Sequence, residues 1–321
     1  MTAVPWDARI RRRLKLRELD ILMAVVEAGS MGNAARHLNT SQSAVSKAVA
    51  DLEHALGVRL LDRSRQGVSP TPYGLALIRR GVVVFDELRQ SVQDIDFLAD
   101  PTTGELRIGA TEPVGAAIIS PVATRLSRQY PRIVFQVVIG DTAALFRDLT
   151  ARKIEFAISR IYAPLADSLA AEILFHDSLV VAAGARNPWT RRRKIAFSEL
   201  VDQPWTLSPL DSYAGAWAAE AFRANGLEFP KHTLTTTSVN LRHELLATGH
   251  FLALLPGFSL RLPRRHASLR ALPVELPGVR MPIAIITSKG RSLSPLAQLF
   301  IARVRALTKP LATPSRLAIP E

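Results

Sequence analysis

The chain has 321 residues, a formal net charge of +13 and no cysteine. The missing cysteines exclude disulfide frameworks, thiol nucleophiles and thiolate metal sites. With 48% apolar and 21% charged residues it has the balance of a globular protein, long enough for two or three domains. The basic excess suggests a polyanionic partner, but residues 1–100 hold 14 Lys and Arg against 12 Asp and Glu, while the remainder hold 27 against 16. Bulk charge therefore does not single out the N-terminal part. The N-terminus lacks a signal-peptide core, and the most apolar run, "FLALLPGFSL", is broken by Pro256 and too short to span a bilayer. A soluble, cytoplasmic protein without membrane contact is expected.

In chain order, residues 14–71 read as three short helices and a hairpin. Leu19, Leu22, Met23 and Val26 recur at helical spacing and Gly29 punctuates the end. Ser30 offers an N-cap to a short helix carrying Ala34, Ala35 and Leu38, and a third helix after "NTS" stops at Gly57. "VRLLDRSRQGVSPTPYG" then has the Gly- and Pro-punctuated look of a β-hairpin. Residues 72–98 read as one long linker helix, in which Ile78, Phe85 and Val92 interleave with Gly81, Leu88 and Ile95 in a heptad pattern. Either a dimerising coiled coil or a single packed amphipathic helix fits that spacing.

After "ADPTTG", strand-like and helix-like segments alternate over residues 104–308: "ELRIGAT", "IVFQVVIG" and "IEFAIS" with helices between them, then "DSLVVAAG", "PWTLS", "HTLTTT", "HFLALLP" and "MPIAIITS", with a last helix over Ser294–Leu307. Residues 309–321 read as a disordered, proline-bearing tail.

The third helix carries the most specific signal. Ala44, Val45, Ala48, Val49, Leu52, Ala55 and Leu56 form an apolar stripe, while Ser41, Gln42, Ser43, Ser46 and Lys47 cluster off it in the first two turns. A recognition helix needs that division, because its N-terminal half enters the major groove and the rest stays in the core. Gln pairs with adenine, Ser adapts, and Lys reaches guanine or phosphate. Arg59, Arg63 and Arg65 bracket the hairpin as a wing beside the backbone, with Arg9, Arg11, Arg12, Arg13 and Lys15 as possible support. A coincidental three-helix core would explain the apolar stripe but not the polar cluster and basic hairpin together.

"LRELDILMAVVEAGSMGNAARHLNTSQSAVSKAVADLEHALGVRLLDRSRQGVSPTPYG" closely resembles the winged helix–turn–helix of LysR-type transcriptional regulators. The likeness continues, more loosely, into "GELRIGATEP", "IEFAISRI" and "ATGHFLALLP", and "GELRIGATEP" with "DRSRQGV" is similar to the galactose-binding-protein regulator subgroup. Leu60 and Ser43 stand where the family commonly has Phe and Pro. The resemblance implies a C-terminal α/β effector domain of two subdomains, similar to a periplasmic solute-binding protein. The first is expected at 104–183 and 257–308, the second at 184–256. It further implies a dimer or dimer-of-dimers, promoter DNA, RNA polymerase and a small co-inducer as partners, and no cofactor. A sugar, a sugar acid and an aromatic acid all remain open as the co-inducer.

In an open α/β sheet, ligands bind beyond the carboxyl ends of the strands. That rule selects Thr111 and Glu112, Asp141 and Thr142, and Ser159 and Arg160 from the first subdomain. From the second it selects Ser208, Tyr213, Thr237, Ser238 and Val239. A helix cap is the alternative task for each of the hydroxyls. Arg160 would clamp a carboxylate or form an ion pair with Glu112 or Asp141. An enzyme is not expected: the seven histidines show no paired metal-ligand spacing, "RHELL" lacks the second His of a zinc helix, and no G-x-S-x-G, P-loop or G-x-G-x-x-G occurs. A nucleoid-type structural DNA binder would leave two hundred residues of α/β pattern without a task.

Overall fold

The computed structural model describes residues 14–64, 67–261, 268–277 and 280–312. The chain divides into two compact units, residues 1–92 and 93–321.

In the first unit, helices α1 (Leu16–Ala28), α2 (Met31–His37) and α3 (Gln42–Leu56) surround a small core. Leu22, Val25, Ala34, Val45, Val49 and Leu52 are completely buried there. Local chemistry sets the helix ends. Gly29 and Gly57 take the left-handed conformation (φ 67° and 70°) that ends α1 and α3. Ser30 Oγ accepts the Asn33 N–H at 3.1 Å to start α2, and Ser41 Oγ accepts the Ala44 N–H at 3.2 Å to start α3. The Glu53 carboxylate accepts the backbone N–H groups of Leu60 and Leu61 at 2.7 and 3.2 Å, turning the chain into the hairpin. Its strands, β1 (Leu61–Ser64) and β2 (Gly67–Pro70), pair antiparallel, and the Val68 N–H donates to the Gly29 carbonyl at 3.0 Å. The hairpin is thereby fastened to the α1–α2 turn.

The long helix α4 (Pro72–Ala99) begins on Thr71, whose hydroxyl accepts the Gly74 N–H at 3.1 Å. At Gly81, the Leu19 and Met23 side chains lie 3.0–3.2 Å from where a Cβ would stand. The first half of α4 is therefore part of its own chain's core.

The second unit runs β3 (Thr103–Ala110), α5 (Ser120–Gln129), β4 (Arg132–Ile139), α6 (Thr142–Thr150), β5 (Phe156–Arg160), β6 (Leu169–Asp177) and β7 (Leu179–Gly184). It continues β8 (Trp205–Leu207), α7 (Tyr213–Ala224), β9 (Thr233–Thr235), α8 (Val239–Ala247), β10 (Leu252–Pro256), β11 (Leu269–Ala271), β12 (Met281–Ser288) and α9 (Pro295–Ala312). One sheet has the order β4-β3-β5-β12-β6, the other β11-β7-β10-β8-β9. Each is apolar on both faces. Phe156, Phe175 and Phe300 fill the α5/α9 side of the first sheet, and Leu145, Leu149 and Ile286 its α6 side. Trp205 and Phe222 fill the α7 side of the second sheet, and Leu246, Ala253 and Leu255 its α8 side.

Three sequence expectations are corrected here. The chain leaves the first sheet between Asp177 and Leu179, not after residue 183, because β7 pairs antiparallel with β10 from Leu179↔Pro256 to Ala183↔Leu252. It returns between Ala271 and Met281, not at residue 257, because β11 pairs with β7. The last helix runs through Ala312, past Leu307, so residues 309–312 of the expected tail are helical. Residues 313–321 lie outside the described residues.

Candidate functional site

The first candidate surface is the N-terminal end of α3. Ser41, Gln42, Ser43 and Lys47 are exposed and Ser46 is half-buried, while Val45, Val49 and Leu52 on the opposite face are sealed in the core. Ala44, assigned to the apolar stripe by sequence, is exposed and sits among the polar residues. Its place one turn before Ala48 and three residues after Ser41 puts it on their shared edge. Ser41 also bonds the Ser43 hydroxyl at 2.9 Å, so two of these hydroxyls are held by the helix start itself. Arg63 projects from β1 into solvent. Arg65, Arg9, Arg11, Arg12 and Arg13 lie outside the described residues, and Lys15 pairs with Glu18 at 3.7 Å.

The second is the cleft between the two sheets of the second unit. Strands β3, β4 and β5 are parallel, as are β8, β9 and β10, so their carboxyl ends gather the candidate side chains. The joins across the cleft are aromatic. Tyr162, just after β5, stacks on Tyr213 of α7 with ring centroids 5.1 Å apart and planes 7° from parallel. It also meets Trp217 edge-on at 6.5 Å. The Arg160 guanidinium lies 4.0 Å from the Trp217 ring centroid.

Arg160 is already paired, but with neither Glu112 nor Asp141. Its Nη2 donates to Asp177 Oδ2 at 2.8 Å, and both side chains are buried. The other Asp177 oxygen accepts the Phe258 N–H at 2.8 Å and Arg261 Nη2 at 3.3 Å. Burial pushes the Asp177 carboxyl above its ordinary value, against the pull of Arg160, the Phe258 N–H and Arg261. This cluster sits where the chain passes from one sheet to the other.

The remaining candidates separate by what already holds them. Thr142 and Ser159 are buried and bonded to each other, hydroxyl to hydroxyl, at 2.8 Å. Asp141 caps α6 by accepting the Ala144 N–H at 2.7 Å, and Ser238 caps α8 by accepting the Leu241 N–H at 3.2 Å. Val239 is half-buried in the first turn of α8, and Thr237 is exposed before it. Thr111 and Glu112 are half-buried at the start of the helical turn after β3, and the Thr111 side chain makes no cap bond.

Ser208 accepts a hydrogen bond at 2.9 Å from Arg242, a residue that the strand-end rule passed over. Arg242 is buried, and its Nη2 donates further to the Thr236 carbonyl at 2.7 Å. Burial holds its guanidinium below the ordinary value, and Glu112 is the charge that opposes this. The signal was present in "RHELL": Arg242 and Leu246 are four residues apart, on the helix face turned to the sheet. Tyr162 and Trp217 likewise follow from no strand-end rule. The recess at the other edge of the first sheet, lined by Ile173, Phe175, His176, Arg280 and Ala312, holds none of the candidates.

Residues 16–75 match the family described as bacterial regulatory helix-turn-helix protein, lysR family, and residues 99–309 match the LysR substrate binding domain. The chain is 28% identical over 295 residues to the uncharacterized HTH-type transcriptional regulator YdcI of Escherichia coli (strain K12), covering 92% of this chain and 96% of that protein. It is 27% identical over 304 residues to the HTH-type transcriptional regulator GbpR of Azospirillum brasilense, covering 94% and 89%. Among solved structures, full-length OxyR from Pseudomonas aeruginosa has the same fold, with a TM-score of 0.64 at 20% identity over 97% of this chain and 100% of that one. The chain belongs to the LysR family of bacterial helix–turn–helix transcriptional regulators, with the family's DNA-binding domain followed by its substrate-binding domain.

Proposed function

We propose that this regulator binds promoter DNA in the cytoplasm as a dimer or tetramer held through α4, and answers a small effector in the cleft between its two sheets. Ser41, Gln42, Ser43 and Ser46 read the major groove, with Ala44 beside them and Lys47 on a flanking phosphate, while Arg63 and Arg65 contact the backbone. Glu112, Ser208, Tyr213 and Thr237 face the effector; Thr142, Ser159, Asp141 and Ser238 frame it. Effector binding shifts the subunit arrangement, and with it half-site spacing, DNA bend and RNA polymerase access. The protein acts by binding and not by catalysis.

One observation carries the DNA reading: α3 presents four exposed polar side chains at its start while its other face is sealed by Val45, Val49 and Leu52. The test is footprinting of the full chain on sites selected from random duplexes, with and without candidate effectors. Spaced, protected half-sites are expected. A Gln42→Ala, Lys47→Ala double variant that keeps site-specific binding at physiological salt would sink the assignment.

A further inference from the structure

Arg242 is 8% exposed, yet among the described residues it has no carboxylate partner. Its Nη2 is held by two neutral acceptors, the Ser208 hydroxyl and the Thr236 carbonyl, at 2.9 and 2.7 Å. Its Nε is fully buried and bonds to nothing in the described chain. A buried guanidinium without a counter-charge is costly, and proteins pair such groups or keep them for a ligand. Arg160 shows the paired case in the same unit, with Asp177 at 2.8 Å. Arg242 shows the other.

Its surroundings agree. Glu112 comes from the first subdomain and forms no ion pair with Arg242, although its charge is felt there. Thr206 of β8, two residues before Ser208, is completely buried and its hydroxyl has no partner among the described residues. A buried cation without an ion-pair partner and an orphan hydroxyl thus lie at one end of β8, with Ser208 bonded to the cation. From this juxtaposition we propose that Arg242 is the anchor of the effector site and that the effector is a small organic carboxylate, bound through charge-assisted hydrogen bonds to the free guanidinium nitrogens. This rests on the cleft being the effector site. Arg160, already neutralised, frames the cleft and does not bind the anion.

The experiment uses the full chain with matched probes: benzoate against benzamide, gluconate against glucose, and citrate. At least one carboxylate is expected to raise the melting temperature and shift operator affinity, with its neutral match inert. Arg242→Gln is expected to lose tenfold or more in affinity for that carboxylate, and Arg242→Lys to retain part of it. Without ligand, Arg242→Gln is expected to melt within about 2 °C of the wild type or above it, since it removes an unpaired buried charge. A large drop in ligand-free melting temperature would mark Arg242 as a structural residue and overturn the proposal, as would a carboxylate bound equally by Arg242→Gln. A neutral sugar bound alike by both proteins overturns the anion assignment and leaves the effector-cleft reading standing. If no probe of either kind alters stability or operator affinity, both readings fall.

Discussion

The Arg160 guanidinium lies 4.0 Å from the centre of the Trp217 ring while its Nη2 donates to Asp177 at 2.8 Å. One side chain thus joins the end of β5, the crossover between sheets and helix α7. In Arg160→Gln, Asp177 stays buried with Arg261 at 3.3 Å as its remaining cation. The expected loss is about 3 kcal/mol or more at neutral pH, the cost of breaking a buried pair from one side. Urea unfolding measures it. A loss under about 1 kcal/mol would release Arg160 from this structural role.

Tyr213 is exposed at its edge, yet its ring covers Tyr162, which in turn meets Trp217. Tyr213→Ala is expected to cost only about 1 kcal/mol of stability. It should nevertheless open the cleft mouth, shift the tryptophan emission to the red and raise its quenching by iodide. Placing Trp217→Phe in the same background should abolish the shift. If the shift persists there, the stack does not shield Trp217.

Lys47 and Gln42 stand on the same exposed end of α3 but have different tasks in the proposed complex. Lys47→Ala is expected to weaken all duplexes alike and reduce the slope of log affinity against log salt by about 0.9 when Lys47 meets a phosphate. Gln42→Ala is expected to cost about 1–3 kcal/mol of discrimination at one base pair while leaving that slope unchanged. Mobility shifts at several salt concentrations, on sites altered one pair at a time, separate the two. A Gln42→Ala protein with undiminished discrimination places Gln42 outside the reading surface.

The first unit was legible because short-range chemistry decides it: Ser30 and Ser41 cap, Gly29 and Gly57 stop, and the apolar spacing of α3 marks the buried face. The effector unit was legible in its alternation but not in its seams. Strand β6 starts on Leu-Ala-Ala-Glu at a sheet edge, with Ile173 exposed, so it lacks the apolar density of β5. Where the chain changes sheet depends on pairings such as Leu179↔Pro256, which join residues far apart in sequence. The same limit applies to the site. The strand-end rule selected Ser208 and Tyr213, but it could not show that Asp177 occupies Arg160 or that Arg242 reaches Ser208 from α8.

The heptad pattern of α4 splits in two. Gly81 is buried against Leu19 and Met23, and Ile78 lies against the same core, so this end is occupied by its own chain. Leu88, Val92 and Ile95 are 45%, 56% and 65% exposed, an apolar stripe spanning two turns. A stripe at this spacing on an exposed helix suits a second copy of the helix. Leu88→Glu with Val92→Glu is therefore expected to dissociate the proposed oligomer at micromolar concentration in sedimentation equilibrium. The same variant should leave the melting of the DNA-binding unit almost unchanged, because neither side chain is in its core. Gly81→Leu is expected to do the reverse: it overfills the contact with Leu19 and Met23, costs about 1–3 kcal/mol and leaves the exposed stripe intact. If the double Glu variant sediments as the wild type does, the stripe is ordinary solvent-facing surface and the proposed association through α4 falls.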